Sequence, residues 1–269
     1  LAAVFIVYPV IKGIYNSLFD FRFGGKSFVG LDNYKVVFTD NLYLLAIKNS
    51  LLFVLILVPL YVVTGILIGG SVFDKGHRYS SFVRVSLYVP VVASMVVMTI
   101  IWRFMLDSQS GLARYFFELI GTTPVNLLGD ARWTFWIIIF ILFTINIGQC
   151  VVLYVADMIS IPEELIEALE IDGGTRLQMF RYILIPCSMP TTQFVMITQT
   201  AAILRVFVVI QLLTNGGPYY SSTTMMYLLY QEGFTHGNFG SASALGVVMF
   251  IFTLVLVVFE LRYVRSKRR

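Results

Sequence analysis

An all-α, polytopic membrane protein is the fold class this sequence predicts, on three observations. Of its 269 residues 58% are hydrophobic and only 13% are charged, against roughly 25% charged in soluble domains. The apolar residues fall into six runs, most at or beyond the roughly 20 residues that a helix needs to cross a bilayer. Lys and Arg gather in a C-terminal tail and one short connection, as they do on the cytoplasmic side of membrane proteins.

The first run covers residues 1–18. It opens inside an apolar stretch at Leu1, with no initiator Met, basic leader or cleavage pattern, so the first helix is expected to begin earlier in the natural chain. The others cover 43–73, 82–106, 133–158, 183–213 and 242–263; their extra length permits tilt or an interfacial continuation. Tyr8, Tyr43, Tyr88, Trp102 and Trp133 fall near crossing ends and read as interfacial anchors, with Trp136 deeper. Cys150 and Cys187 read as small apolar residues, and His77 and His236 lie in different loops, so no metal site is expected.

The tail with Arg262, Arg265, Lys267, Arg268 and Arg269 is placed on the cytoplasmic side, which puts the N-terminus there as well. The second-to-third connection agrees, carrying Lys75, His77, Arg78 and Arg84 against Asp74. Between the first two runs Arg22, Lys26 and Lys35 are balanced by Asp20, Asp32 and Asp40. Residues 214–240 have no Lys or Arg and are rich in Gly, Tyr, Ser and Thr, as suits the outer face.

Residues 159–182 are the most polar connection, with Glu163, Glu164, Glu167, Glu170, Asp172, Arg176 and Arg181. Ser160 as N-cap, Pro162 in the first turn and acids at the positive helix end predict a short helix. Gly173 and Gly174 are expected to end or bend it. A second amphipathic piece follows, and the shape is that of a docking element or a solvated acidic helix.

Read in order, Glu167-Ala168-Leu169, three residues, Gly173, nine residues and Ile183-Leu184-Ile185-Pro186 resemble the EAA motif of ABC-importer permeases. Leu169 and Ile185 depart from that pattern but stay apolar. Residues 28–34 (FVGLDNY), 213–218 (LTNGGP), 230–234 (YQEGF) and 239–244 (FGSASA) resemble segments of the carbohydrate branch of this family. The resemblance implies a single permease domain over 1–269 with a six-helix core, and a cytoplasmic coupling loop at 159–182. It also implies a second homologous permease, two cytoplasmic ATPases that bind ATP and Mg, and an extracytoplasmic solute-binding protein. Glu163, Glu164, Glu167, Ala168, Asp172, Gly173 and Gly174 would form the coupling segment, with Glu167 the first choice for a charged contact and Gly173 and Pro186 as its joints. The sequence has no G-x-x-x-x-G-K-[ST] loop, so a fused ATPase is excluded and no cofactor or catalytic residue is assigned to this chain.

Polar residues inside membrane runs are costly unless they face a cavity or another helix. Asn146 and Gln149 in the fourth run, and Thr198, Gln199, Thr200, Arg205 and Gln211 in the fifth, are therefore the candidates for the solute path, or for interhelical hydrogen bonds. Arg205 either meets a carboxylate, faces water or extends to the outer interface. Arg205 and Gln211, six apart, project to different faces of one continuous helix. A sugar, oligosaccharide or sugar-like solute is the expected cargo; a non-carbohydrate ABC permease, a secondary carrier or a channel is the alternative. A carrier would add internal repeats and intramembrane ion ligands, of which no repeat and no carboxylate pair is seen. A membrane-bound enzyme would need a nucleophile and base or a metal cluster, and nucleic acid is not an expected partner.

Overall fold

The structure, a computed structural model, describes residues 3–21 and 25–267; Leu1, Arg22, Arg268 and Arg269 lie outside the described residues. A π-helical turn, Ala3–Val7, leads into α1 (Tyr8–Asn16). Two short antiparallel strands follow, β1 (Phe19–Asp20) and β2 (Ser27–Phe28), and then α2 (Asp32–Thr39). Next come α3 (Asn41–Val72), α4 (His77–Val92), α5 (Met95–Met105), α6 (Leu112–Leu119) and α7 (Ala131–Ile159). The acidic segment holds α8 (Glu163–Ile171) and α9 (Arg176–Met179), and a π-helical turn at Phe180–Leu184 leads to α10 (Ile185–Cys187) and α11 (Met189–Leu204). The chain closes with α12 (Val208–Leu213), α13 (Met225–Tyr230), the π-helical Gln231–Thr235 and α14 (Phe239–Lys267).

Among the described residues α3, α7 and α14 are each long and apolar enough to cross a bilayer unbroken. Aspartates start two of them: Asp40 accepts from Leu42 N at 2.7 Å and Asp130 from Arg132 N at 2.9 Å, each satisfying a donor that a helix N-terminus leaves free. The core is built on α3 against α7. Phe53 stacks on Phe135 with centroids 4.7 Å apart, and Tyr61 on Phe143 at 5.7 Å. The Tyr61 hydroxyl donates to Leu142 O at 2.7 Å, which removes the cost of burying it. On its other side α7 receives α4 so closely that a Cβ on Gly148 would overlap the Leu87 carbonyl.

Two of the six runs are not single helices. The third is α4 and α5, bent by 96° at Ala93 and Ser94, both extended. Pro90 lacks the N–H that would close the last turn of α4, which weakens that turn just before the break. The fifth run breaks between α11 and α12, where Phe207 leaves helical geometry at φ −131. The Val206 carbonyl freed there accepts from Thr224 Oγ1 at 3.1 Å. The strands, α2 and α6 were not anticipated. They lie in the connections, where short or polar segments carry little periodicity.

The bundle has two distinguishable ends. Arg176 Nη2 lies 3.1 Å from Asp74 Oδ1, so the connection after α3 shares an end with the acidic segment. Asn49 near the start of α3 donates to the carbonyls of Ser221 and Thr223 at 3.1 and 3.0 Å, so the loop after α12 lies at the opposite end. At that same end a Cβ on Gly240 would overlap the Phe19 carbonyl. From there α14 runs 29 residues, about 43 Å at 1.5 Å per residue, which carries Arg262 toward the acidic end.

Candidate functional site: an acidic two-helix segment and a polar break

The acidic segment is a helix, a turn and a second helix. Pro162, at the N-cap with ψ 129, makes no side-chain capping bond, and Glu163 and Glu164 occupy the first turn of α8. Ser160, expected as the cap, instead ends α7 and donates to Asp157 O at 2.6 Å. Gly173 adopts φ +72, a left-handed geometry that glycine enters freely. Gly174 packs so tightly on Leu169 that a Cβ would overlap that side chain. Thr175 and Gln178 then form a reciprocal capping box that starts α9.

Glu163, Glu167 and Glu170 line a cleft of about 360 Å³ with Asp74, Met158 and Ile161. Ala168 and Asp172 are exposed on the outer side. Large apolar side chains of the segment are uncovered where its charge pattern alone predicts a polar surface: Ile171 is 86% exposed and Leu177 76%. Their signal was present as apolar residues out of phase with Ile166 and Leu169, which face inward.

The path candidates divide. Asn146 is half-buried and donates to the Leu142 carbonyl at 3.0 Å, within its own helix, while Gln149 is exposed. Gln199 is buried. Thr198 bonds Phe194 O at 2.8 Å, and Thr200 donates to Glu260 Oε1 of α14 at 2.6 Å. Glu260 is buried in α14, within the sixth apolar run, and is not among the polar candidates that the sequence offers. Arg205 caps the C-terminus of α11, exposed, with Nε donating to Ala201 O at 2.9 Å. Gln211 Nε2 donates to Asn215 Oδ1 at 3.0 Å. Among the described residues no hydrogen bond joins Asn146 or Gln149 to Gln199, Arg205 or Gln211. The projection of Arg205 and Gln211 onto one helix does not apply, because the chain breaks between them.

Two anchoring assignments also change. Tyr43 is buried at 5% exposure beside Glu232 and Ser241, and Trp102 packs edge-on against Phe140 at 5.2 Å. Cys187 is exposed, unlike the buried Cys150. The segments behind the family resemblance meet in space: Asn33 donates to Ser17 O and Phe19 O at 2.8 and 2.9 Å, and Ser241 to Asn33 Oδ1 at 3.4 Å. Residues 28–34 and 239–244 therefore clasp the same turn.

The family model of the inner membrane component of binding-protein-dependent transport systems matches residues 61–269. The chain is 30% identical to the sn-glycerol-3-phosphate transport system permease protein UgpA of Escherichia coli (strain UTI89 / UPEC), over 100% of this chain and 92% of that protein. It is 28% identical to the probable ABC transporter permease protein YurN of Bacillus subtilis, over 98% of this chain and 92% of that one. Its fold matches a chain of a bacterial alginate ABC transporter, solved in complex with an alginate pentasaccharide-bound periplasmic protein, with a TM-score of 0.87 and 24% identity over 100% and 91% of the two chains. The MetNI methionine ABC transporter matches more loosely, with a TM-score of 0.61 over 85% and 97%. The chain belongs to the family of inner membrane components of binding-protein-dependent transport systems, and is a multi-pass membrane permease.

Proposed function

We propose that this chain forms half of the path of an ATP-driven importer for a sugar, oligosaccharide or sugar-like solute, beside a second homologous permease. Two cytoplasmic ATPases, which bind ATP and Mg, dock on residues 159–182, and an extracytoplasmic binding protein delivers solute at the opposite end. The C-terminus is cytoplasmic, in keeping with the basic residues around Lys75 and Arg262. Glycerol 3-phosphate and alginate, named for two of the similar proteins, support a sugar-like cargo.

The observation that carries this reading is the acidic segment. Its helices are too short to be stable alone. They are held by the Gly173 turn, the Thr175 capping box and the Asp74 to Arg176 pair, yet they leave Ile171 and Leu177 uncovered. An apolar tip with an acidic rim is what a protein partner covers. Because the segment runs directly into α10 and α11, a push on it moves a membrane-spanning element. Asn146, Gln149, Gln199, Arg205 and Gln211 are the side chains proposed to border the path.

Co-expression with the neighbouring permease and ATPase genes, purification and reconstitution with the binding protein test it. Solute-stimulated ATP hydrolysis and uptake are expected in the parent complex. Ile171→Asp should release the ATPase while leaving the two permeases together. Uptake driven by an ion gradient without ATP would sink the reading.

A further inference from the structure

Resting on that function, we infer that Arg103 and Arg205 make the path selective for acidic solutes, carrying carboxylate or phosphate, over neutral sugars. Arg103 sits in the last turn of α5 and its Nη1 donates to Leu212 O of α12 at 3.0 Å. Arg205 lies at the break that precedes α12. The two arginines thus flank one pair of packed elements, α5 and α12. Both side chains are exposed in this chain, and among the described residues neither forms an ion pair. The nearest acid in sequence to Arg103 is Asp107, whose Oδ1 is engaged by Gln109 N at 3.0 Å and Ser110 N at 2.8 Å; these bonds hold its carboxyl below the usual range.

A charge within a membrane segment pairs with an opposite charge or faces water, because hydrocarbon solvates it poorly. Extension to the membrane surface does not describe Arg205: its guanidinium turns back to the Ala201 carbonyl one turn earlier in α11, away from the loop that begins at Thr214. Both residues do lie at helix C-termini, where the dipole favours a cation. A carbonyl bond uses one of five guanidinium N–H donors, however, and leaves a planar fork suited to a carboxylate or phosphate in two-point contact. Two such forks, one at each end of α12, give the path anion-binding capacity, and among the described residues no carboxylate pairs with either.

The test uses the assembled importer in nanodiscs without its binding protein, and reads probe binding by saturation-transfer NMR. The probes are glycerol 3-phosphate, a uronate pentasaccharide and a neutral glucose pentasaccharide. The parent is expected to prefer one or both anionic probes by roughly tenfold or more, the scale of a charge-assisted hydrogen bond. Phosphate preference without uronate preference, or the reverse, assigns the anion. Arg103→Gln with Arg205→Gln should abolish the preference, the two Lys variants should retain part of it, and Arg114→Gln, which removes an arginine paired with Glu118, should leave it intact. Equal or tighter binding of the neutral probe, no binding of any probe, or an anion preference that survives the double Gln variant overturns the inference. Loss of assembly in the Gln variants but not the Lys variants would also overturn it, by making the arginines partner contacts. Failure of the general function is read separately, as absence of binding-protein-stimulated ATP hydrolysis in the parent.

Discussion

The two ends of the bundle are built on opposite principles. At the opposite end, the loop from Thr214 to Thr224 is tied to its surroundings by buried polar groups: Asn49 holds two of its carbonyls, Thr214 and Ser222 share a hydrogen bond at 2.8 Å, Thr223 donates to Gly216 O, and the Tyr227 hydroxyl donates to Asn215 O at 2.7 Å. This net keeps Asn215, Tyr219 and Tyr220 at positive φ, near 50°, which side chains resist. At the acidic end the order is local, from a glycine turn and a capping box, and one exposed ion pair reaches across to the connection after α3. Both ends leave large side chains uncovered, Tyr219 at 91% and Ile171 at 86% exposure, but the first fixes its loop through long-range buried hydrogen bonds and the second through a local turn and cap. A permease that must move against a partner at one end while keeping a fixed frame at the other has reason to differ in this way.

The largest expected effect lies in the fixed frame. Asn49→Leu strips partners from two carbonyls beside the buried Thr223 and should destabilise the chain by roughly 2–4 kcal/mol, read as a fall in the thermal midpoint in detergent. If that fall is no greater than for changes in the acidic segment, the contrast between the ends is lost. Gly173→Val comes next, because a β-branched residue at φ +72 costs about 1–3 kcal/mol. Solute binding by the external protein should survive while stimulated ATP hydrolysis fails, and Gly173→Asn, which tolerates that geometry better, should restore part of the coupling.

Smaller still is the link across the acidic end. Both partners are well exposed, so Asp74→Ala or Arg176→Ala should change stability by less than about 1 kcal/mol. A double-mutant cycle on ATP-driven uptake should nevertheless show coupling between them; additive losses would make the pair incidental. Glu167→Ala should move the thermal midpoint least, within about 0.5 kcal/mol, and its effect should appear in ATPase stimulation. Parental stimulation and uptake in both Glu167→Ala and Gly173→Val would return the segment to a plain solvated loop.

The sequence by itself determined the solvent of this protein, the number of apolar runs, the helix–glycine–helix form of residues 162–179 and the family. Each of these rests on local patterning: run length against bilayer thickness, a glycine where φ must be positive, or residue types at fixed spacing. Only the tertiary structure decided where the fifth run breaks. Nothing near Phe207 is a strong helix breaker; the Val206 carbonyl freed at the break accepts from the hydroxyl of Thr224, 18 residues away. Tertiary packing likewise placed Tyr43 beside Glu232 and Ser241, Glu260 against Thr200, and Arg103 on Leu212. The Thr200–Glu260 and Arg103–Leu212 pairings span 60 and 109 residues, and no periodicity along one helix encodes which side chain of another will meet it.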